Sequence, residues 1–363
     1  MSLELTAGTA ILQDRTLLPV VEDGTSYHAG RIGNHYVVMV VCPRIGASPA
    51  STAVTNMRRS FPNVKHILVV GIGGGMPYYG TNLQEQIVLG DVVVSVPQYR
   101  EGGVAHYEFG AWVGKHEFSV SGHTLHPSSS LLTAVNNLRS AHMQKPGTRI
   151  PQILRELREG LIDSELPEFA DPGSGSDHLF EDNYPHLDSI KFCEGFCDYS
   201  RSKRREDRGR KASRKQDTPF IHYGTIGSAN ALVISSEKRN ELYHSHEIIC
   251  IEMESAGVMG DNQGLVIRGI CDYADSHKNK IWQKYAAATA AACAKEILLL
   301  VPTTEVPTAE AADHGVATRN ANAHGGVGAG DISGGYNVGQ VQTGFAHAFS
   351  AGSRDIVKTQ VSP

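Results

Sequence analysis

Ile251-Glu-Met-Glu-Ser-Ala-Gly257, followed by Leu265-Val-Ile-Arg-Gly-Ile-Cys-Asp-Tyr-Ala-Asp275, decides the fold. The second stretch is an apolar, β-branched run that stops abruptly at Cys271-Asp272. It reads as a buried strand carrying a carboxylate at its carboxyl end, the place where open α/β sheets hold their ligands. The first stretch sets Glu252, Met253 and Glu254 at the mouth of a helix. Two acids so placed can divide work at a glycosidic bond, one gripping the sugar and the other serving as an acid.

Working outward, the same pattern recurs. Tyr36–Cys42 and His66–Val70 are β-branched runs that predict buried strands, as does Gly90–Pro97. Helical spacing predicts helices over 47–61, 130–139 and 280–300, the last Ala-rich and suited to close packing on a sheet. Strands separated by helices of this length argue for a largely parallel sheet covered on both faces. Residues 140–218 differ in composition and read as an insertion, with short helices expected near 151–160 and 177–183. The insertion ends in a basic run, Arg201–Lys215, with nine Lys/Arg against two acids. One domain is therefore expected over 1–302, followed by a Gly/Ala/Asn-rich tail over 303–363 that buries too little apolar surface to fold alone. Within the tail, Asp331–Phe345 is Gly/Asn/Gln-rich with spaced apolar residues, a pattern open to a flexible linker or to cross-β assembly.

The bulk numbers describe a globular chain: 363 residues, 40% hydrophobic, formal charge −5. There is no overall basic bias of the kind a nucleic-acid binder needs, and no run near ~18 apolar residues to span a membrane. The first residues lack a secretory signal pattern. Six scattered cysteines, most in apolar runs, read as reduced thiols of a cytoplasmic chain. The basic run also admits a nuclear address. Cys193-x-x-x-Cys197, with His186 or His178, could hold a metal, but the spacing departs from common zinc sites. Packed free thiols are the expectation, and neither metal nor cofactor is assigned.

Five segments then appear in a shared order. They are Gly71-Ile-Gly-Gly-Gly75, Leu89-Gly-Asp-Val-Val-Val-Ser95, Ile221-His-Tyr-Gly-Thr-Ile226, Ile251-Glu-Met-Glu-Ser-Ala256 and Arg268-Gly-Ile-Cys-Asp-Tyr-Ala-Asp-Ser-His-Lys-Asn-Lys280. Together they resemble the nucleoside phosphorylase/uridine phosphorylase family over roughly residues 3–300, above all the version fused to fungal NLR-type receptors. The resemblance implies a mixed sheet flanked by helices, a purine nucleoside or nucleotide substrate, and a homo-oligomer. It implies that Asp272 supplies a proton or hydrogen bond to the leaving purine, that Glu254 holds the ribose hydroxyls, and that Met253 packs on the sugar. It places Ser228, Asn230, Leu232 and Val233 at the base, and lets the glycine loop Gly71, Gly73, Gly74 and Gly75 approach the ligand. Glu252 is expected to face outward or to cap the helix. Met1-Ser-Leu-Glu-Leu5 resembles the segment that carries a catalytic glutamate in the hydrolases, which makes Glu4 the base that activates water.

Phosphorylases of this family bind phosphate through arginines, one just before the glycine segment, where this chain has Val69-Val70. The balance therefore favours hydrolysis over phosphorolysis, with an adenine-type base preferred and a non-catalytic nucleoside-sensing domain as the alternative. Relatives in immune systems include enzymes that cleave ATP to adenine and ribose triphosphate, and Arg204, Arg205 and Lys211 are candidate phosphate contacts, with a solvated loop as the other reading of the basic run. Family members carry a strand before the catalytic glutamate, and this sequence begins after it. Either the strand is lost, which leaves an unfilled place beside the buried sheet and weaker support for Glu4, or the start is a truncated version. Assembly through the tail is the remaining possibility for partners.

Overall fold

The computed structural model describes residues 2–19, 24–77, 86–98, 102–115, 118–121, 124–144, 148–161, 169–186, 193–205, 217–277, 280–303 and 356–361, the last by backbone alone. Chain contacts separate residues 304–354 from a unit made of 1–303 and 355–363. In chain order this second, larger unit contains α1 (Ser2–Ala10), β1 (Gln13–Leu17), β2 (His28–Ile32), β3 (His35–Val41), α2 (Ala47–Ser60), β4 (Val64–Gly75), β5 (Val92–Ser95) and β6 (Val104–His106). Next come the hairpin β7 (Gly110–Trp112) and β8 (Phe118–Val120), then α3 (Ser129–Gln144), α4 (Ile150–Glu159), β9 (His178–Phe180) and β10 (Ser202–Arg204). The remainder is β11 (Ile221–Ser228), α5 (Ser236–His246), β12 (Ile248–Glu252), α6 (Ser255–Met259), β13 (Leu265–Asp272), α7 (Gln283–Leu298) and β14 (Ile356–Val361).

The main sheet runs β1-β2-β3-β14-β4-β12-β11-β5-β13, with β6 beside β11, and β13 pairs back onto β4. Its path thus closes through β4, β12, β11, β5 and β13. The sheet is mixed rather than largely parallel: β13 runs parallel to β4 and antiparallel to β5, while β12 meets β4 antiparallel at Cys250↔Gly75 and Ile251↔Gly74. Strands flanked on both sides must be apolar on both faces, and β13 is buried over its first seven residues, up to Asp272. The Ala-rich helix α7 lies against β13 and is buried at nearly every position. A side chain at Gly269 would run into the backbone of Ala286, so this glycine sets the close helix–sheet approach.

The segment expected as an insertion divides in two. Its first part, α4, packs Ile150, Ile153, Leu154 and Leu157 into the main core. Beyond it, the helix anticipated near 177–183 is instead the strand β9, paired antiparallel with β10. The stretch between Gly173-Ser174-Gly175 and Asp182-Asn183 is too short to repay helix nucleation. This ribbon is tied down by ions. Arg239 Nη2 donates to Asp182 at 2.6 Å and its Nη1 to the Tyr273 carbonyl at 3.1 Å, and the Tyr273 hydroxyl donates to Asp177 at 2.6 Å.

The place beside the sheet is not unfilled. β14 occupies it, parallel to both neighbours, with Thr359 opposite Met39 of β3 and Leu68 of β4. Residues 356–361 therefore leave the expected tail and join the core sheet, because two flanking ladders of unpaired backbone groups are satisfied by any strand of the right length. Asp331–Phe345 lies outside the described residues. Helix α1, which carries Glu4, packs over β3, β14 and β4. Thr359→Pro removes a ladder donor from the middle of this sheet. We expect it to lower stability by roughly 2–4 kcal/mol in chemical denaturation and to raise hydrogen exchange at the amides of β3 and β4, with Glu4's helix loosened alongside.

Candidate active site

Arg268 lies in the middle of β13 and is fully buried. A guanidinium in such a place must be paired. Its Nη2 bonds the Glu252 carboxylate and lies 3.5 Å from Glu254 Oε2. Burial works against the Arg268 charge, yet Glu252, Glu254, Cys250 and Glu4, in falling order, push its pKa upward. Glu4 thus belongs electrostatically to the cluster that the loop after β12 and the strand β13 create, and is itself 2% exposed.

Glu252 does not face outward. It is buried, pairs with Arg268, and also accepts from the Glu254 amide at 3.0 Å and the Ser255 amide at 3.0 Å. The expected helix-capping role is therefore present, but it is exercised from inside the protein. Glu254 sits at the N-cap of α6 and accepts from the Gly46 amide at 3.4 Å. Gly46 adopts φ 116°, a conformation L side chains rarely take, and Gly257 lets α6 approach Ala47 closely enough for that contact. Burial is the largest influence on the Glu254 carboxyl; with Arg268 pulling down and Glu252 pushing up, its pKa stands at about 7. Met253, between the two acids, is half-buried.

Asp272 ends β13. Its Oδ1 accepts from the Ala274 amide at 2.9 Å, and Cys271 Sγ lies 3.3 Å from Oδ2. Gly74 is in register with Ile251 on β12 and with Asp272 on β13, so the two acid-bearing strand ends lie on either side of one strand. A Cβ at Gly74 would come within 2.8 Å of Asp272 Oδ1, and one at Gly73 within 2.8 Å of Cys250 Sγ. This corrects the reading of the glycines. Gly71, Gly73, Gly74 and Gly75 are not a loop but the end of β4, and none has a positive φ. Gly73, Gly74 and Gly75 are small because three strands converge there.

The base-site candidates are brought to the same end of the sheet with other duties. Ser228 is fully buried and its Oγ accepts from the Ala256 amide at 3.0 Å. Asn230 Oδ1 accepts from the Ala47 amide at 3.2 Å, while its own amide donates to Glu108 at 2.8 Å. Leu232 is 58% exposed, and Val233 packs with Met76, Tyr107 and Ala274. Of the phosphate candidates, Arg205 is engaged elsewhere: it is buried, bonds Asp177 at 2.9 Å and the Leu89 carbonyl at 2.6 Å, and lies over the Trp282 ring. Arg204 is exposed at the end of β10, and Lys211 lies outside the described residues. His222 Nε2 lies 2.9 Å from buried Asp91, a structural contact.

Two participants escape the sequence reading. Arg268 receives no role there, although a lone arginine inside an apolar strand run signals a buried partner. Tyr107 packs against Gly227, and its hydroxyl is buried with no hydrogen-bond partner among the described residues. Burial, then the charges of Glu108 and Glu252, push its pKa up. Among the described residues, the one gathering of metal-type ligands uses none of these side chains.

The sequence profile of the phosphorylase superfamily matches residues 3–300. A nucleotide-binding leucine-rich repeat (NLR)-like protein of Hyaloscypha variabilis is 38% identical over 306 residues, covering 82% of this chain and 28% of that protein. The chain thus spans little more than a quarter of that relative's length. The futalosine hydrolase of Helicobacter pylori superposes with a TM-score of 0.50 at 16% identity, over 82% of this chain and 94% of that one. A variant of the H. pylori MTAN holding 5′-methylthioadenosine in its active site gives the same TM-score, identity and coverage.

Replacing Arg268 with Met should cost roughly 3–5 kcal/mol in equilibrium denaturation, because it strands buried carboxylates. The raised Glu254 pKa carries a second expectation. The folded state favours the protonated carboxyl, so stability from this group is present below the ordinary carboxyl value of 4.5 and is lost as pH rises through about 7. Between pH about 5 and about 8, wild type should therefore lose more stability than Glu254→Gln. Parallel losses in urea titrations would remove Glu254 as the source.

Proposed function

The chain belongs to the phosphorylase superfamily, and from that membership we propose that it hydrolyses the N-glycosidic bond of a purine nucleoside or nucleotide, with an adenine-type base preferred. The observation that carries this reading is the pairing of two acid stations across Gly74. On one side Glu254 is fixed by Arg268 and the Gly46 amide; on the other Asp272 ends β13.

The chemistry is set by the charges. Breaking the bond sends its electron pair onto the base and leaves oxocarbenium-like charge on the ribose, as at other glycosidic centres. Glu254, as a carboxylate, accepts hydrogen bonds from ribose hydroxyls, and the surrounding negative charge favours the cationic sugar. Asp272 gives a proton or hydrogen bond to the departing purine. Glu4 takes a proton from water as the water oxygen bonds the anomeric carbon. Hydrolysis is favoured over phosphorolysis because Val69 and Val70 are buried core residues where phosphorylases place an arginine. The hydrolase and nucleosidase names of the structural neighbours are in keeping with this.

The NLR-like relative favours a second role beside the chemistry, that of an effector or nucleoside-sensing domain within a larger immune-type protein. Incubation with ATP, AMP, adenosine and 5′-methylthioadenosine, with and without phosphate, separates the readings by chromatography of the products. Free base without phosphate is expected, with Asp272→Asn and Glu254→Gln each lowering kcat about 10²-fold or more while remaining folded. Strict phosphate dependence would overturn hydrolysis. Ligand binding without base release, unchanged in Asp272→Asn, would favour sensing alone.

A further inference from the structure

Beyond Asp272, the chain runs through Tyr273-Ala-Asp-Ser-His277 into contact with the β9–β10 ribbon. The ligand atoms of His186, Cys193 and Cys197 all lie within 4.8 Å of one another there. His277 is not one of these three but adjoins their sulfurs: its Nδ1 is 3.7 Å from Cys193 Sγ and 3.6 Å from Cys197 Sγ. Zinc bonds of ~2.3 Å to sulfur and ~2.0–2.1 Å to nitrogen, in a tetrahedron, set a sulfur–nitrogen edge of about 3.6 Å. We propose that His186, Cys193, Cys197 and His277 bind a zinc ion that clasps the β9–β10 ribbon to the loop following Asp272.

The ligands are prepared for this. His277 Nε2 lies 2.6 Å from the Tyr184 carbonyl. That contact makes Nε2–H the donor and leaves the Nδ1 lone pair aimed at the two sulfurs, the arrangement that outer partners impose on metal-binding histidines. The ring is held flat against Phe180, with centroids 3.9 Å apart and planes 16° from parallel. The Cys197 and Phe196 amides both donate to the Cys193 carbonyl, at 2.8 and 3.0 Å, and Gly195 takes φ 79°. This tight turn brings both thiols to one side. Two sulfurs and two imidazoles suit zinc better than harder ions, and four protein ligands leave no open position, so the site is structural. Each thiol releases its proton to water as the ion binds.

Thiols merely packed in apolar surroundings would not draw an oriented imidazole to both sulfurs. The expectation of packed free thiols rests on the Cys193–Cys197 spacing and on the apolar runs that hold most of the cysteines. His178, the other candidate, is engaged with Ser202 at 3.1 Å and takes no part. The consequence reaches the active site. The Asp275 carboxylate accepts from the His277 amide at 2.9 Å, and Ser276 Oγ accepts from the His186 amide at 2.8 Å. An ion at this cluster therefore anchors the far end, Asp275 to His277, of the loop that begins at Asp272.

The full chain, purified from zinc-supplemented medium, should carry stoichiometric zinc by elemental analysis. Cobalt exchanged into it should give the absorption of a tetrahedral ion with thiolate charge-transfer bands. Chelation should lower the wild-type melting temperature by about 5–10 °C, and should leave Cys193→Ser/Cys197→Ser, which already melts lower, unchanged. If the double variant fails to fold, His186→Ala and the cobalt spectrum of wild type decide. A folded wild-type chain that holds neither zinc nor cobalt, cobalt bands without thiolate character, or a double variant that keeps its zinc would each overturn the site. None of these readouts depends on glycosidic activity.

Discussion

The buried ion pair between Arg268 and Glu252 is the constraint on which the acid cluster depends. Taking a guanidinium out of water is costly, and only close carboxylates offset that cost. The demand dictates much of the surrounding architecture. Glu252 must turn inward at the end of β12, which leaves Glu254 at the N-cap position of α6. Glu254 must share the same cation, and Glu4 must come near enough for its charge to be felt. What would be prohibitively repulsive as a set of carboxylates becomes a stable site with one cation at its centre. The arrangement leaves more carboxylates than cations at this end of the sheet, and the proposed glycosidic chemistry would use that surplus on a cationic sugar.

The second constraint is steric. Three strands converge at Gly73 to Gly75, and there is no room for side chains between Cys250, Ile270 and Asp272. The glycine run is conspicuous in the sequence, and it lies between the two acid-bearing strand ends. Its physical reason differs from that of a ligand-embracing turn: close strand packing requires it, and the ligand groups gain their placement as a result. Gly257 and Gly46 act similarly one layer away, bringing the first turn of α2 against the acid cluster.

Much of this was legible in the chain because it is local. β-Branched runs mark β3, β5 and β13, helical spacing marks α2, α3 and α7, and an acid ending an apolar strand marks Asp272 whatever its neighbours. The resemblance to a known family then grouped Glu4, Glu254 and Asp272. Less legible were elements whose conformation is set by partners. Residues 178–180 have too few neighbours in sequence to form a helix and become a strand by pairing with 202–204. Arg205 reads as a candidate phosphate contact within a basic run, yet Asp177 and the Leu89 carbonyl claim its donors.

By itself the sequence determined the element types of the core, the strand-end acid and the family to which they belong, because each depends on periodicity or on residues a few positions apart. Only the tertiary structure decided who meets whom. It inserted β14 between β3 and β4, where backbone ladders rather than side-chain pattern select a partner. It turned Glu252 inward onto Arg268, sixteen residues away, and it carried His277 to Cys193 and Cys197 across eighty-odd positions. Such contacts are governed by burial and charge compensation between distant segments, and no local pattern encodes them.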